Sequence, residues 1–357
     1  MKVWVLSALF LLGCSSAKKE KDFQKSLDAP ASADPVVEVQ APPKLLEKFE
    51  VAPIEETPKP VETSPKEVKK PTKKKISKPS KPETTTAPVV TSEMKSPEVK
   101  EKKIPKNYPP NLLEVNSRAE TTWKKYRPNH QTDEKVFLDI NYLGMTVGKI
   151  MVTNRGKRII NGQEVWHFHS RFKSAPFYSN IYELDDTVDT YVTTDEFLSI
   201  RYSLIQRESK QDVDDLQLHD RDKLRTYWFY KRKKPDGYVK NKEKKEFIPY
   251  FSMDPFSVLF FYQGLPLKTG DIYEIPVINK GKVLILKSEV EGREVIDTEL
   301  KDDVKAIRIH ATTKYTGETL KSGDMYFWLS DDGKHTLLKA QAKIKIGSVT
   351  ADVVKAQ

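Results

Sequence analysis

Apolar and polar positions alternate along the C-terminal two thirds of this chain, and no such rhythm is present before it. Val136, Leu138, Ile140 and Tyr142 alternate with Phe137, Asp139 and Asn141, and Val147, Ile150 and Val152 follow. A period of two puts successive side chains on opposite faces of a strand. Strand-like runs recur at 164–172, 181–184, 187–193, 197–206, 225–232 and 237–247. Six more follow at 272–278, 282–290, 304–313, 324–329, 336–346 and 348–354. Asn161-Gly162, Asp236-Gly237, Lys280-Gly281, Glu291-Gly292 and Asp332-Gly333 supply turn chemistry at the joints, because residues tolerating positive φ are what tight hairpins need. The pattern predicts an all-β fold, an antiparallel curved sheet that is barrel- or sandwich-like.

Two segments depart from the period of two. Residues 111–126 predict a short helix with Leu112, Val115 and Trp123 as its apolar points. In 254–264, Asp254 takes the N-cap position, Pro255 the first turn, and Gly264 follows the last. Its apolar residues are too continuous for one exposed face, so a buried helix of about two and a half turns that plugs or flanks the sheet is expected.

Composition changes the picture at the N-terminal side. Residues 15–107 hold 14 of the 23 prolines and, apart from Phe23 and Phe49, no aromatic residue. Such a stretch buries too little apolar surface to offset its ordering entropy. Three regions are expected: 1–13 a signal peptide, 14–107 a disordered Pro/Lys-rich tether, and 108–357 a single β-domain. The tract 58–82 favours extended polyproline II, and about 90 such residues reach on the order of 280 Å.

The formal net charge is +10. Lys66, Lys69, Lys70, Lys73, Lys74, Lys75, Lys78 and Lys81 form a basic cluster with two readings, contact with an anionic surface or a solvated spacer kept extended by its own charge. It lacks the interleaved aromatics that stack on bases, so no nucleic-acid partner is expected.

Cys14 is the single cysteine of the chain, which excludes an intramolecular disulfide scaffold and cysteine-ligated zinc or iron–sulfur sites. Lys2 precedes an apolar run from Val3 to Phe10, and Leu11-Leu12-Gly13-Cys14 follows, an arrangement similar to a bacterial lipobox. Cys14 is therefore the expected lipidation site, and the membrane is a partner through that anchor. Ser15 lacks the aspartate that marks inner-membrane retention in enteric lipoproteins. Outer-membrane anchoring facing the periplasm is expected, with the inner membrane left open.

Candidate chemistry is sparse. His167 and His169 lie two apart on one strand and point to the same face, a spacing able to chelate a metal. No acidic partner is identifiable from sequence, and a polar outer face is the simpler reading. Asp185-Asp186, Asp214-Asp215 and Asp331-Asp332 fit turn and cap duty. A separated pair such as Asp254 and Asp331 could act as acid and base only if the fold brought them together. Ser257 and Ser330 sit in no nucleophile elbow, and no phosphate loop or dinucleotide fingerprint occurs. No cofactor is expected. Tyr227, Phe229, Phe256, Phe260, Tyr262, Phe327 and Trp328 are core residues or the lining of an apolar cavity for an acyl chain or peptide.

Six short motifs occur in order: Tyr142-Leu-Gly-Met-Thr-Val-Gly148, Asp254-Pro-Phe-Ser257, Gly270-Asp271, Gly292-Arg-Glu294, Trp328-Leu-Ser-Asp-Asp332 and Ile346-Gly-Ser-Val-Thr-Ala351. From about 134 to 355 the chain resembles the DUF3108 family. The resemblance implies an exported, mostly β protein of Gram-negative bacteria with no assigned activity. The expectation is a non-catalytic envelope protein binding a lipid, a glycan such as peptidoglycan, or another envelope protein. A hydrolase of cell-wall or lipid substrates and a purely structural envelope protein are its rivals.

Overall fold

The computed structural model describes residue 27 and residues 36–54, 104–315, 324–344 and 346–357. The expected signal peptide, Cys14 and the lysine cluster at 66–81 lie outside the described residues.

Fifteen strands and three short α-helices make up the described fold. The first elements are α1 (Pro43–Lys48), β1 (Val51–Ala52), α2 (Pro110–Trp123), β2 (Lys135–Tyr142), β3 (Met145–Ile160), β4 (Gln163–Ser174) and β5 (Asp185–Thr193). Then come β6 (Ser199–Glu208), β7 (Gln211–Asp220), β8 (Arg225–Lys233), β9 (Val239–Phe247), α3 (Val258–Phe261) and β10 (Ile272–Asn279). The chain finishes with β11 (Lys282–Ile296), β12 (Val304–Tyr315), β13 (Met325–Ser330), β14 (Leu337–Lys343) and β15 (Ser348–Ala356). From β2 to β9 and from β10 to β15 each strand pairs antiparallel with the next, and β15 joins β2. The sheet thus runs from β10 at one edge to β9 at the other. Between those edges Met253 bridges Val277, and the backbone N–H of Lys280, in the β10–β11 turn, donates to Gln217 Oε1 of β7 at 3.0 Å.

The strongest apolar cluster lies in the concavity. It joins Trp166 and Phe168 of β4, Val188 and Val192 of β5, and Tyr202 of β6 to Tyr273, Ile275, Ile307 and Ile309 across the barrel. The segment 254–264 plugs this space. Phe260 stacks on Phe168 with centroids 3.9 Å apart, and Tyr126 stacks on Phe261 at 4.7 Å. The helical stretch is shorter than its sequence predicts, one α-helical turn followed by a 3₁₀ turn at Tyr262–Gly264. The N-cap is Ser257 rather than Asp254; Asp254 instead holds the turn that leads into the helix, accepting the backbone N–H groups of Phe256 and Ser257 at 2.9 Å each. Gly264 is needed for close approach, because a Cβ there would collide with the Tyr126 ring.

Other expectations change. Glu291-Gly292 is not a turn: β11 runs through it, and a register shift between Val290 and Gly292 marks a bulge. The run at 181–184 is no strand of its own; Leu184 makes an isolated bridge to Glu208. Strand β7 has no counterpart among the predicted runs, since Asp215, Gln217 and His219 occupy one of its faces. Asp214 and Asp215 lie within that strand and Asp185 and Asp186 within β5, so neither pair serves a turn.

Residues 36–54, assigned by composition to the tether, are built into the domain. Val51 and Ala52 pair with Ile160 and Ile159 of β3. Phe49 is 2 % exposed and packs with Ile160, Val165, Tyr191, Ile200, Leu216 and Phe229. Val37, Val39, Ala41, Leu45 and Leu46 join the same cluster. This strap covers the convex face of β3 to β8, which would otherwise expose those apolar side chains.

Candidate functional site

Two buried polar groupings occupy opposite faces of the same sheet, on different strands. On the convex face, His167 and His169 of β4 stand beside Asp189 of β5, which is in register with His169. Each imidazole nitrogen donates to one oxygen, Asp189 Oδ1, from His167 Nε2 at 2.6 Å and from His169 Nδ1 at 2.9 Å. Both histidines are buried, and His167 stacks on Tyr191 at 4.4 Å. Burial alone would raise the Asp189 carboxyl, but the two imidazole hydrogen bonds prevail and hold it well below the usual carboxylate range. Burial also depresses His167, against the pull of Asp189. The intervening Trp166 and Phe168 point into the concave core, as the period of two predicts; the polar side of the strand is covered, not solvent-facing.

The carboxylate partner is the element sequence could not supply, because it comes from the next strand by register. The three donor atoms lie within 4.8 Å of one another, close enough to hold a metal ion. The surroundings speak for a different use. Arg155 acts electrostatically on His167, and buried Arg201 on Asp189. A dication would join these guanidiniums around a single carboxylate, whereas hydrogen bonding uses that carboxylate to balance charge already present. Arg201 Nη1 also donates to the Phe49 carbonyl at 2.8 Å, so the grouping lies where the strap is tied down. Further ties are Lys48 to Asp220 at 2.8 Å and the Glu38 N–H to Asp214 at 3.1 Å.

On the concave face Asp215, 1 % exposed, accepts the Trp228 indole N–H at 3.0 Å and lies 4.0 Å from Lys280 Nζ. Burial pushes its carboxyl up to about 7, against the opposing effects of Lys280 and Trp228. Lys280 sits in the β10–β11 turn with φ of 53° and places its ammonium 5.5 Å from the Tyr230 ring centroid. This grouping joins one sheet edge to strands near the other.

Asp254 does a third job. Besides the two backbone donors, its Oδ2 accepts Thr190 Oγ1 at 2.5 Å and Ser199 Oγ at 2.7 Å. Arg221, also buried, donates to the carbonyls of Ser199, Tyr250 and Ser252. Asp331 binds Arg293 at 3.0 Å, so the two carboxylates of the proposed acid–base pair have separate structural partners. Ser257 Oγ donates to the Asp254 carbonyl and Ser330 Oγ to Asp332.

The seven aromatic residues proposed as a cavity lining do not converge. Phe256, Phe260 and Tyr262 fill the concave core and Phe327 packs against it. Phe229 and Tyr227 belong to the strap-covered face, and Trp328 to a cluster with Val136, Leu138 and Tyr326. A cavity between β2, β3 and the plug measures about 30 Å³ and touches Phe260 alone of the seven. That volume holds a water molecule, not an acyl chain.

An antiparallel, barrel-like sheet with a helical plug and a strap is the class of fold defined here. The chain belongs to the DUF3108 family, described as a protein of unknown function, whose profile matches residues 138–354. No curated protein matches the sequence. Among solved structures, a β-barrel-like protein of the domain of unknown function DUF1849 from Brucella abortus aligns at 11% identity over 63% of this chain and 97% of its own, with a TM-score of 0.41. A candidate lipoprotein from Parabacteroides distasonis aligns at 7% identity over 65% of this chain and 99% of its own, with a TM-score of 0.30. No helix among the described residues is long and apolar enough to cross a membrane.

Proposed function

We propose that this protein is lipid-anchored at Cys14 on the periplasmic side of the outer membrane and acts by non-catalytic binding at the surface of its β-domain. The point where the chain first joins the domain carries this reading. Because Leu27, 1 % exposed, already packs against Phe137 and Met151 of the sheet, 12 residues separate Cys14 from the domain. At about 3.4 Å per residue they span at most roughly 45 Å, far less than a tether running to residue 107 would allow. The domain of an acylated chain therefore stays near its membrane.

Binding at the surface is supported by the state of the interior. The core is filled by the plug, and Asp189, Asp254 and Asp331 are each engaged in a structural contact. The ligand is then an envelope lipid headgroup, glycan or protein rather than an enclosed acyl chain. Cys14→Ser is the test: the wild-type N-terminal peptide is expected to carry diacylglycerol mass and the variant's not, and the variant alone is expected to leave membranes in a high-salt wash that screens electrostatic attachment. A wild-type peptide without that mass, or a variant retained through the wash, would refute the anchor.

A further inference from the structure

The β8–β9 hairpin has properties unlike the rest of the sheet. β9 pairs with β8 alone and is exposed on both faces, so it covers little of the core. Over residues 231–242 the hairpin carries six basic side chains and one acidic one. Lys231 pairs with Glu38 of the strap. Among the described residues, Lys234, Lys240 and Lys242 have no salt-bridge partner, and Lys233 acts on Glu38 only at a distance. A solvated edge strand guarded by lysines would look similar along its length, but the tip differs. Tyr238 and Val239 are 46 % and 50 % exposed at the turn, where a soluble hairpin needs only polar residues. Arg232 and Lys234 lie 5.8 and 5.4 Å from the Tyr238 ring centroid and flank it from the opposite strand.

An exposed tyrosine beside an aliphatic side chain, ringed by unpaired cations, matches one kind of surface. Tyrosine rests at headgroup depth, valine contacts the acyl boundary, and lysine stems reach back to phosphates. We propose that the β8–β9 hairpin docks on a bilayer surface bearing anionic phospholipid headgroups, with Tyr238 and Val239 entering the interface and Lys233, Lys234, Lys240 and Lys242 meeting the phosphates. The docking deepens the envelope reading and rests on it for the presence of a membrane. It requires no acyl group, so the two fail separately.

The test uses the full chain with Cys14→Ser, which is unacylated and has no other thiol. Its binding is measured to vesicles of phosphatidylcholine alone or with ~30 % phosphatidylglycerol at ~0.15 M salt. Association is expected with the anionic vesicles only. Lys233→Gln, Lys240→Gln and Lys242→Gln combined should weaken it roughly 100-fold, about fivefold per lysine; all three change solvated positions, and an unaltered melting temperature verifies the fold. A second readout separates the hairpin from the lysine cluster at 66–81. An environment-sensitive fluorophore on Tyr238→Cys should shift to the blue and be quenched by brominated lipid, while the same probe on Leu300→Cys, an exposed loop position, should not. Binding that survives the triple substitution, a silent probe at 238, or association with a soluble polyanion but not with vesicles would each overturn the proposal.

Discussion

Asp189 on β5 and Asp215 on β7, two strands away in the sheet, are alike in kind but opposite in behaviour. Both are carboxylates within the sheet, one beneath the strap and one beneath the Lys280 turn. Asp189 receives two imidazole hydrogen bonds and stays ionised. Asp215 receives one indole hydrogen bond, has its cation at 4.0 Å, and is pushed up to about 7 by burial. Desolvation acts on both in the same direction, so the number and closeness of donors decides the sign. The comparison teaches that the convex grouping is a lock whose charge is required, whereas the concave carboxylate is tolerated at a cost to stability.

Breaking the convex lock should give the largest effect. Asp189→Asn keeps an oxygen where both imidazoles bond but removes its charge, weakening both hydrogen bonds and taking away one of the charges that balance Arg201. Removing one member of such a buried, charge-assisted set costs about 3–5 kcal/mol. For a domain of this size that is a fall in Tm of roughly 2–4 °C per kcal/mol, readable by thermal denaturation. A loss below ~1 kcal/mol would show that the two histidines find equivalent partners elsewhere.

Phe49→Ala addresses the strap above the lock. A 2 % exposed phenylalanine truncated in a packed cluster costs about 3 kcal/mol through lost transfer energy and the space left behind. The distinguishing readout is local. Amides of 36–54 should exchange faster and the segment should become open to limited proteolysis, while protection of β10 to β12 stays unchanged. Loss of protection across the whole sheet would mean that the strap is part of the global folding unit rather than a cover.

These two regions also show why the sequence could be read so far and no further. The strands β2, β4, β12 and β15 carry an alternation of side-chain types that a local window shows, although both faces of β4 are buried. The plug was legible through Asp254 and Pro255. Strand β7 was not, because its concave face carries Asp215, Gln217 and His219, and burial of polar groups needs partners from β8 and the Lys280 turn that no local window contains. The strap was hidden differently. Val37, Val39 and Ala41 do alternate, and Leu45, Leu46, Phe49 and Val51 continue an apolar supply, but averaging over the Pro/Lys-rich stretch submerged them. The histidine pair was visible on its own strand, whereas Asp189 is joined to it only by cross-strand register. The scattered aromatics show the reverse error: nearness in sequence and shared type do not put Phe229 and Phe260 on the same face of a sheet.

The smallest effect, and the one that tests the comparison most directly, is on the pH dependence of stability. Asp215 has a folded-state pKa raised to about 7, above its unfolded value of about 3.9. The folded chain therefore binds the extra proton between those values, and the stability this gives is full below about pH 4 and lost as pH rises through 7. His167 has the other sign. Its pKa is depressed, so the unfolded chain takes the proton first and stability is lost as pH falls below about 6.5. In the wild-type chain the two oppose each other across that window, with Asp186 acting like Asp215 and His130 and His219 like His167. Asp215→Asn keeps an acceptor for the Trp228 N–H and removes the titration. It should leave stability near pH 4 almost unchanged and raise it by about 1–2 kcal/mol at pH 8, where the wild type buries an ionised carboxylate. Denaturant unfolding at the two pH values gives the difference directly. If the variant were less stable at pH 8, the Lys280–Asp215 ion pair would be a second lock, and the contrast between the two faces would be withdrawn.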